Sequence, residues 1–303
     1  MLATAERVPV ALRTHARDIE ERTTVENEAT REARRWAAAI EDALRAAQSQ
    51  ATLSVEDATA LEQAILRGDL EEIRHVLIGD EPLLSGVAGP LARAGVEVGR
   101  LNALSLMPSE LRRLAEGVTD RAGISERAGR WASDRAGELI ANVDEAARKT
   151  IREAVARGVA QDEDPRTIAR DIRRVIGLTD QQATRIDRAR RKMIADGVPV
   201  ARANRIAARR ANVEIGRRAE LIARTETMRA VHEGRRELWR ELEEAGEVKA
   251  ERVTRTWVRQ SGSALQDICA RLNGTTKMLT EEFEIEPPAH PRCSCVVVMS
   301  ESR

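Results

Sequence analysis

Pro287-Pro288-Ala289-His290-Pro291-Arg292-Cys293-Ser294-Cys295-Val296-Val297-Val298-Met299 is the stretch where this chain stops reading as helix. Its prolines fix φ and remove backbone donors, which a helix interior does not tolerate. The valine run that follows has the β-branched character of a strand. Working back, Val253-Thr-Arg-Thr-Trp-Val258 is a second β-type run. Lys277-Met278-Leu279, after the turn pair Asn273-Gly274, reads as a third, and Phe283-Glu284-Ile285 also alternates. Residues 247–303 are therefore expected to form a small α+β module of three or four short strands.

Everything before that module reads as helix. Aromatic residues are 2% of the 303, with no Tyr and one Phe, while charged residues are 33%, which suits long helices better than a β-sandwich. Ala29, Ala33, Trp36, Ile40, Leu44 and Ala47 recur at three or four. Ser54 and Asp57 mark a helix start, carried on by Leu61 and Ile65 to Gly68, and Leu70, Ile73, Val76 and Leu77 run to a stop at Gly79. Residues 81–108 hold several glycines but enough Leu and Val to pack, so they read as a glycine-bearing helix rather than a linker. Pro108 and Ile124-Ser125-Glu126 open two more helices. Asp162-Glu163-Asp164-Pro165 places carboxylates and a proline at another helix start. Leu178-Thr179-Asp180 caps the helix after Gly177. A long helix follows Pro199, from about Val200 to Ala245, with Ile206, Val213, Leu221, Ile222, Met228, Val231 and Leu238 expected on its inner side. The expected class is mainly α: an extended helical body with a small C-terminal α+β module. Its parts are a helical N-terminal region (1–130), a long-helix body (131–246) and the module (247–303).

Charge is balanced overall but uneven. Residues 148–240 hold 24 Lys/Arg and 13 Asp/Glu, a difference of +11, and the rest of the chain carries the compensating −11. Such a segment suits a phosphate backbone or an acidic protein surface, or simply a set of solvated helix faces. No apolar run approaches the length of a membrane span, and the first residues lack a secretory h-region. Three cysteines are too few for a disulfide framework and point to metal or to inert buried thiols.

Cys269, His290, Cys293 and Cys295 together supply the donors of a Cys3His zinc site, in a module small enough to gain from a metal crosslink. The alternative is four small side chains packed near a proline-rich turn. A metal-dependent nuclease or other hydrolase would instead use His290 with Asp267, Glu282, Glu284 or Glu286. Nucleophilic catalysis by Cys293 lacks an evident oxyanion element, and no Walker, GxGxxG, HExxH or GxSxG pattern is present. Non-specific DNA binding is a third reading.

Several motifs in order then carry a resemblance. Arg218-Ala-Glu-Leu-Ile-Ala-Arg224-Thr225-Glu226 is followed by Trp239, Gly246, Thr256-Trp257-Val258, Asp267-Ile-Cys269, Leu272-Asn273-Gly274 and Pro287-Pro288-Ala-His290-Pro291-Arg-Cys293-Ser-Cys295. This series resembles the phage head morphogenesis family, minor head proteins similar to the F protein of phage Mu, over about residues 131–298. Ser294 departs from the arginine of many relatives, and Gln266 stands where some have the first Cys of a Cys-x2-Cys pair. The resemblance implies a non-enzymatic structural component of the virion or procapsid, assembled in the bacterial host cytoplasm. Its implied partners are the portal protein, capsid or scaffold proteins, and in some cases DNA. It makes Arg224, Thr225, Glu226, Trp257, Asn273, Gly274, Pro287, Pro288, His290, Pro291, Cys293 and Cys295 a structural signature, with no membrane partner and no catalytic residue.

Overall fold

The structure is a computed structural model and describes residues 10–49, 55–119, 125–161, 163, 165–259, 267–290 and 293–301. The N-terminal arm before Val10, the cap expected at Ser54, Ile124, Asp162, Asp164, Gln266 and Pro291 lie outside the described residues. The chain is mainly α with a small C-terminal α+β module, as its residue pattern predicts. The helices are α1 (Val10–Ser49), α2 (Val55–Arg67), α3 (Leu70–Ile78), α4 (Ser85–Leu106), α5 (Ser109–Thr119), α6 (Glu126–Ala160), α7 (Pro165–Val175), α8 (Asp180–Ala195), α9 (Val200–Glu244) and α10 (Asp267–Leu272). The strands are β1 (Val253–Val258), β2 (Thr276–Met278) and β3 (Val296–Glu301). The alternating run at Phe283 forms no strand; its ladder position is not needed, because β2 and β3 already flank β1. No described helix is long and apolar enough to cross a membrane.

Two compact units emerge, each assembled from separate parts of the chain. One comprises Arg34–Pro90 and Ser133–Ala223. Here α2 lies against α3 and α7. The Asp69 side chain accepts the Glu72 amide at the start of α3, and Thr179 and Gln182 form a reciprocal capping box on α8. Gly177 takes φ +85°, a left-handed conformation that ends α7 cleanly. Its carbonyl accepts the buried Arg218 guanidinium at 2.6 Å, and the next carbonyl, of Leu178, accepts the Thr150 hydroxyl at 3.0 Å. The turn is thus held by two other helices.

In this unit α9 buries Ala203, Ala207, Ala211, Ile215, Ala219 and Ala223, one residue in four. That corrects the expected inner face for this part of α9; further along, the expected Met228, Val231 and Leu238 are buried. Small side chains at fourfold spacing let neighbouring helices approach closely, and they set the helix rotation. Val213, about 200° round the helix from Ala211, is consequently turned outward and is 54% exposed. Ile206 is only half-buried.

The other unit comprises Met1–Ala33, Leu91–Ala132 and Arg224–Arg303. Its sheet has the order β2-β1-β3, antiparallel throughout, with Trp257 opposite Val297 and Thr254 opposite Met278. Strand β1 buries Val253, Arg255 and Trp257 on one face and half-buries Thr254, Thr256 and Val258 on the other. Strand β3 is covered on both faces. Val297 and Met299 join a core with Leu238, Leu242, Trp257 and Phe283. Val296 and Val298 join a second core with Val25, Ala29, Met228 and Val231. The continuous valine run, rather than an alternating one, is the consequence.

Helices α4 and α9 cross at backbone distance. A Cβ at Gly99 would overlap the Val231 carbonyl, and one at Gly234 would overlap the Val96 carbonyl. The stretch expected to be a glycine-bearing helix is one, and Gly95 and Gly99 within it serve the crossing.

Gly234→Ala is expected to cost about 1–3 kcal/mol, because two helix backbones must separate. Gly137→Ala, in the interior of α6 with open space around it, is expected to stabilise by about 1 kcal/mol through helix propensity. Urea midpoints of the two variants check the contrast; equal shifts would remove the close crossing as its cause.

Candidate metal centre

Cys269 sits in α10, and the Asn273-Gly274 turn fastens that helix to β1. The Gly274 amide donates to the Trp257 carbonyl at 2.8 Å, and Asn273 Oδ1 accepts the Arg259 amide at 2.8 Å. Gly274 takes φ +79°, which a side chain would disfavour. Cys293 and Cys295 lie on the lead-in to β3, and their side chains meet Cys269 from the opposite side. Pro287 and Pro288 are buried, joined by a cis peptide, and bring the chain round to His290. A turn then closes with the Cys293 amide donating to the His290 carbonyl at 3.0 Å. Prolines that cannot extend a ladder, followed by a tight turn, thus fold one short segment back onto α10.

All three cysteines are buried and free, and their sulfurs lie within 4.8 Å of one another, close enough to share one metal ion. The Cys269 and Cys293 sulfurs are 3.8 Å apart, and His290 Nε2 lies 3.1 Å from the Cys269 sulfur. A tetrahedral ion with metal–sulfur bonds of about 2.3 Å has sulfur–sulfur edges of about 3.8 Å, so the residues present fit the group. Cys-x-Cys spacing at 293 and 295 serves the same cluster. Of the sequence-derived set, Cys269, Cys293 and Cys295 are therefore brought together, and the half-buried His290 lies beside Cys269.

The thiols do not share charge equally. A hydrogen bond from the Cys295 thiol holds Cys293 down to about 5, against the burial that opposes it, with the amides of Cys295 and Ala289 adding to the effect. Cys295 is pushed far up, first because it donates to Cys293 and then by burial. Burial pushes Cys269 up as well.

Of the carboxylates weighed as alternatives, Glu282, Glu284 and Glu286 are engaged by arginines, and the Asp267 side chain lies outside the described residues. Glu286 takes both its oxygens to Arg255 Nη2, at 2.7 and 2.8 Å. Glu282 accepts Arg236 at 3.3 Å, and the exposed Glu284 accepts Arg271 at 2.7 and 2.9 Å. Among the described residues, the three cysteines form the one group of metal-ligand type found within reach of a single ion.

The rest of the signature falls into two places. Trp257 is fully buried beneath the cysteines in the same core, edge-on to Phe283 with centroids 5.6 Å apart. Arg224 reaches Glu26 on α1 at 3.3 Å, Glu226 accepts Arg229 at 2.8 Å, and Thr225 is half-buried between them. The Ile-Ala-Arg-Thr-Glu run is thus part of the packing of α9 on α1.

Sequence reasoning missed His232 and Arg255, and placed Glu286 only among the hydrolase carboxylates. His232 on α9 is buried, and its Nε2 donates to the Cys295 carbonyl at 3.3 Å. Burial and then the nearby Arg235 press its imidazole down to about 3, so it is neutral. Arg255 and Glu286 form the ion pair under the module. The signal for Arg255 was available: it occupies an inward position of Val253-x-Arg255-x-Trp257. No comparable signal marks His232 within a charged helix. Comparison with known proteins finds no match to any family model, curated protein or solved structure.

Glu286→Gln is expected to destabilise the fold by about 3 kcal/mol, since it strands the buried Arg255 charge. Adding Arg255→Met is expected to recover most of that loss. Chemical unfolding of the single and double variants checks it; no recovery in the double variant would mean that packing rather than charge sets the cost.

Proposed function

We propose that the chain is a non-enzymatic head-assembly component of a phage or prophage, closed at its C-terminal end by a structural zinc ion. The motif series from Ile222 to Cys295, in order and spacing, supports the family reading. The observation that carries the proposal is the convergence of the buried Cys269, Cys293 and Cys295, separated by up to 26 positions in sequence, with their sulfurs within 4.8 Å of one another and His290 beside Cys269. Three thiolates and one imidazole are the donors a borderline-soft ion prefers. Bound zinc would supply a crosslink between α10, the 287–290 turn and β3, and binding energy would become folding energy. Four protein donors leave no position for a reactive water, which favours a structural over a hydrolytic role. Glu282, Glu284 and Glu286, already paired with arginines, add no second set of ligands.

The product of the reading is a docking protein. Its helical faces would meet the portal, capsid or scaffold in the procapsid, within the host cytoplasm. The basic segment bears on the DNA alternative in a specific way. Arg190, Arg218, Arg235 and Arg236 from that segment are buried, so the +11 count overstates what a phosphate backbone would meet.

Purified, folded protein never exposed to chelator is expected to contain close to one zinc per chain by elemental analysis. Less than about a tenth of an equivalent would sink the metal site. His290→Ala is expected to keep the three thiols yet lower metal affinity by about tenfold or more and reduce the thermal midpoint. For assembly, co-expression with the portal protein of the same phage is expected to yield a complex on affinity purification; failure both to co-purify and to enter procapsids would end the head-assembly reading. Plasmid nicking that depends on added divalent metal and is lost in His290→Ala would replace it with the hydrolase.

A further inference from the structure

The hairpin of α8 and α9 carries a groove of about 540 Å³ along its exposed seam. Ile186, Ala189, Ile206 and Val213 line it as an aliphatic floor. Arg185, Arg209, Arg210 and Arg217 form its rim. Glu214 is the one carboxylate in that lining, and Arg185 and Arg217 share it at 3.0 and 2.8 Å. Among the described residues no carboxylate pairs with Arg209 or Arg210, both exposed. Four guanidiniums against one carboxylate leave the rim with a net +3.

We propose that this groove docks an acidic amphipathic helix of a partner protein. Charge complementarity selects the flanks of that helix, and the floor selects its apolar stripe. Ile206, Arg210, Val213 and Arg217 follow one another at spacings of four, three and four, so the groove runs for about three helical turns. A helix presenting two or three aliphatic side chains at matching spacing, with Glu or Asp beside them, fills it. A duplex backbone would need the arginines but would leave Val213 and Ile206 without a partner. A single strand would need aromatic stacking platforms, and the lining has none. The exposed position of Val213, forced by the alanine stripe on the inner side, is what supplies the floor.

The inference deepens the docking role proposed above, and relies on it only for who the partner is. The test uses the full chain and a fluorescent peptide of roughly 18 residues. The peptide contains Leu, Ala and Glu, with the leucines on one helical face. Fluorescence anisotropy compares it with a peptide of the same composition whose leucines are scattered, and with a DNA duplex of about 20 base pairs at equal salt. The one-face peptide is expected to bind about tenfold or more tightly than the scattered one. Arg209→Glu with Arg210→Glu, and separately Val213→Asp, are each expected to weaken it by about tenfold. These positions are exposed, and unchanged thermal melts verify that the variants fold.

Equal binding of the two peptides would overturn the proposal, as would no saturable binding up to about 1 mM. Duplex binding stronger than peptide binding, and lost in Arg209→Glu/Arg210→Glu, would make the surface a nucleic-acid site instead. Self-association abolished by the same variant would assign it to a second copy of the chain. If the portal fails to co-purify while the one-face peptide binds, the groove stands and the head-assembly reading falls; the reverse pair of results removes the groove alone.

Discussion

Helix α9 from Arg224 to Glu244 puts charge in the interior, and the architecture around it follows from that. Glu226, Arg235, Arg236, Glu237 and Glu241 are all buried. Taking an ion out of water costs several kcal/mol even after relaxation, so partners must arrive from elsewhere in the unit. Arg100 on α4 meets Glu241 at 2.8 Å, and Arg127 at the start of α6 meets Glu237 at 2.8 Å. Burial alone would raise Glu237, but its hydrogen bonds from Arg127 and Ser125 hold it below the usual range. Arg236 reaches forward to Glu282 in the module. Each pair has geometry only when its element is seated in one rotation and one register. Ion pairs of this kind add little net stability compared with apolar packing. What they contribute here is discrimination against helix slippage, in a chain whose alanine surfaces would otherwise pack in several ways.

The same constraint explains which parts of the fold the amino-acid pattern revealed. Helix ends were legible because they are local chemistry: Gly68, Gly79, Gly177 and Gly246 stop helices at left-handed φ, and Thr179 with Gln182 caps one reciprocally. Strand β1 was legible from its β-type composition, and β3 from its β-branched run. The inner face of α9 was legible in its later part, where Met228, Val231 and Leu238 are buried, but not before Arg224. Periodicity arguments weight large apolar residues, and here the buried stripe is alanine, chosen for close approach rather than for area. Nor does a count of +11 over residues 148–240 distinguish an arginine beneath a helix from one in solvent. Arg235 and Arg209 read identically in sequence; tertiary partners alone separate them.

The cysteine cluster lies between these extremes. Donor types identified Cys269, His290, Cys293 and Cys295 as a candidate set before any geometry was known, because thiols are rare in this chain and three of them flank a single turn-rich region. What spacing could not provide was the closure. Cys-x-Cys on a strand lead-in offers two sulfurs, and it takes α10, pinned by Asn273-Gly274 against Trp257, to bring the third. His232 then holds the Cys295 carbonyl from α9 and ties the cluster to the charged helix.

That link orders the physics of the unit. The module has a modest apolar core, centred on Trp257 and Phe283, whose faces are shared with α4, α5 and α9. Beneath the ring of Phe283 lies Arg255, whose guanidinium carbon is 5.2 Å from the centroid and whose charge is met by Glu286. An apolar ring, a paired cation and the buried thiols therefore belong to one small module. Loss of a metal bound there as proposed would loosen α10 and the 287–290 turn. Glu282 and Glu286 lie just upstream of that turn, and through them the loss would reach Arg236 and Arg255. Six residues of chain separate Glu286 from Cys293, so the cysteine cluster and the carboxylates that meet Arg236 and Arg255 are near neighbours along one segment.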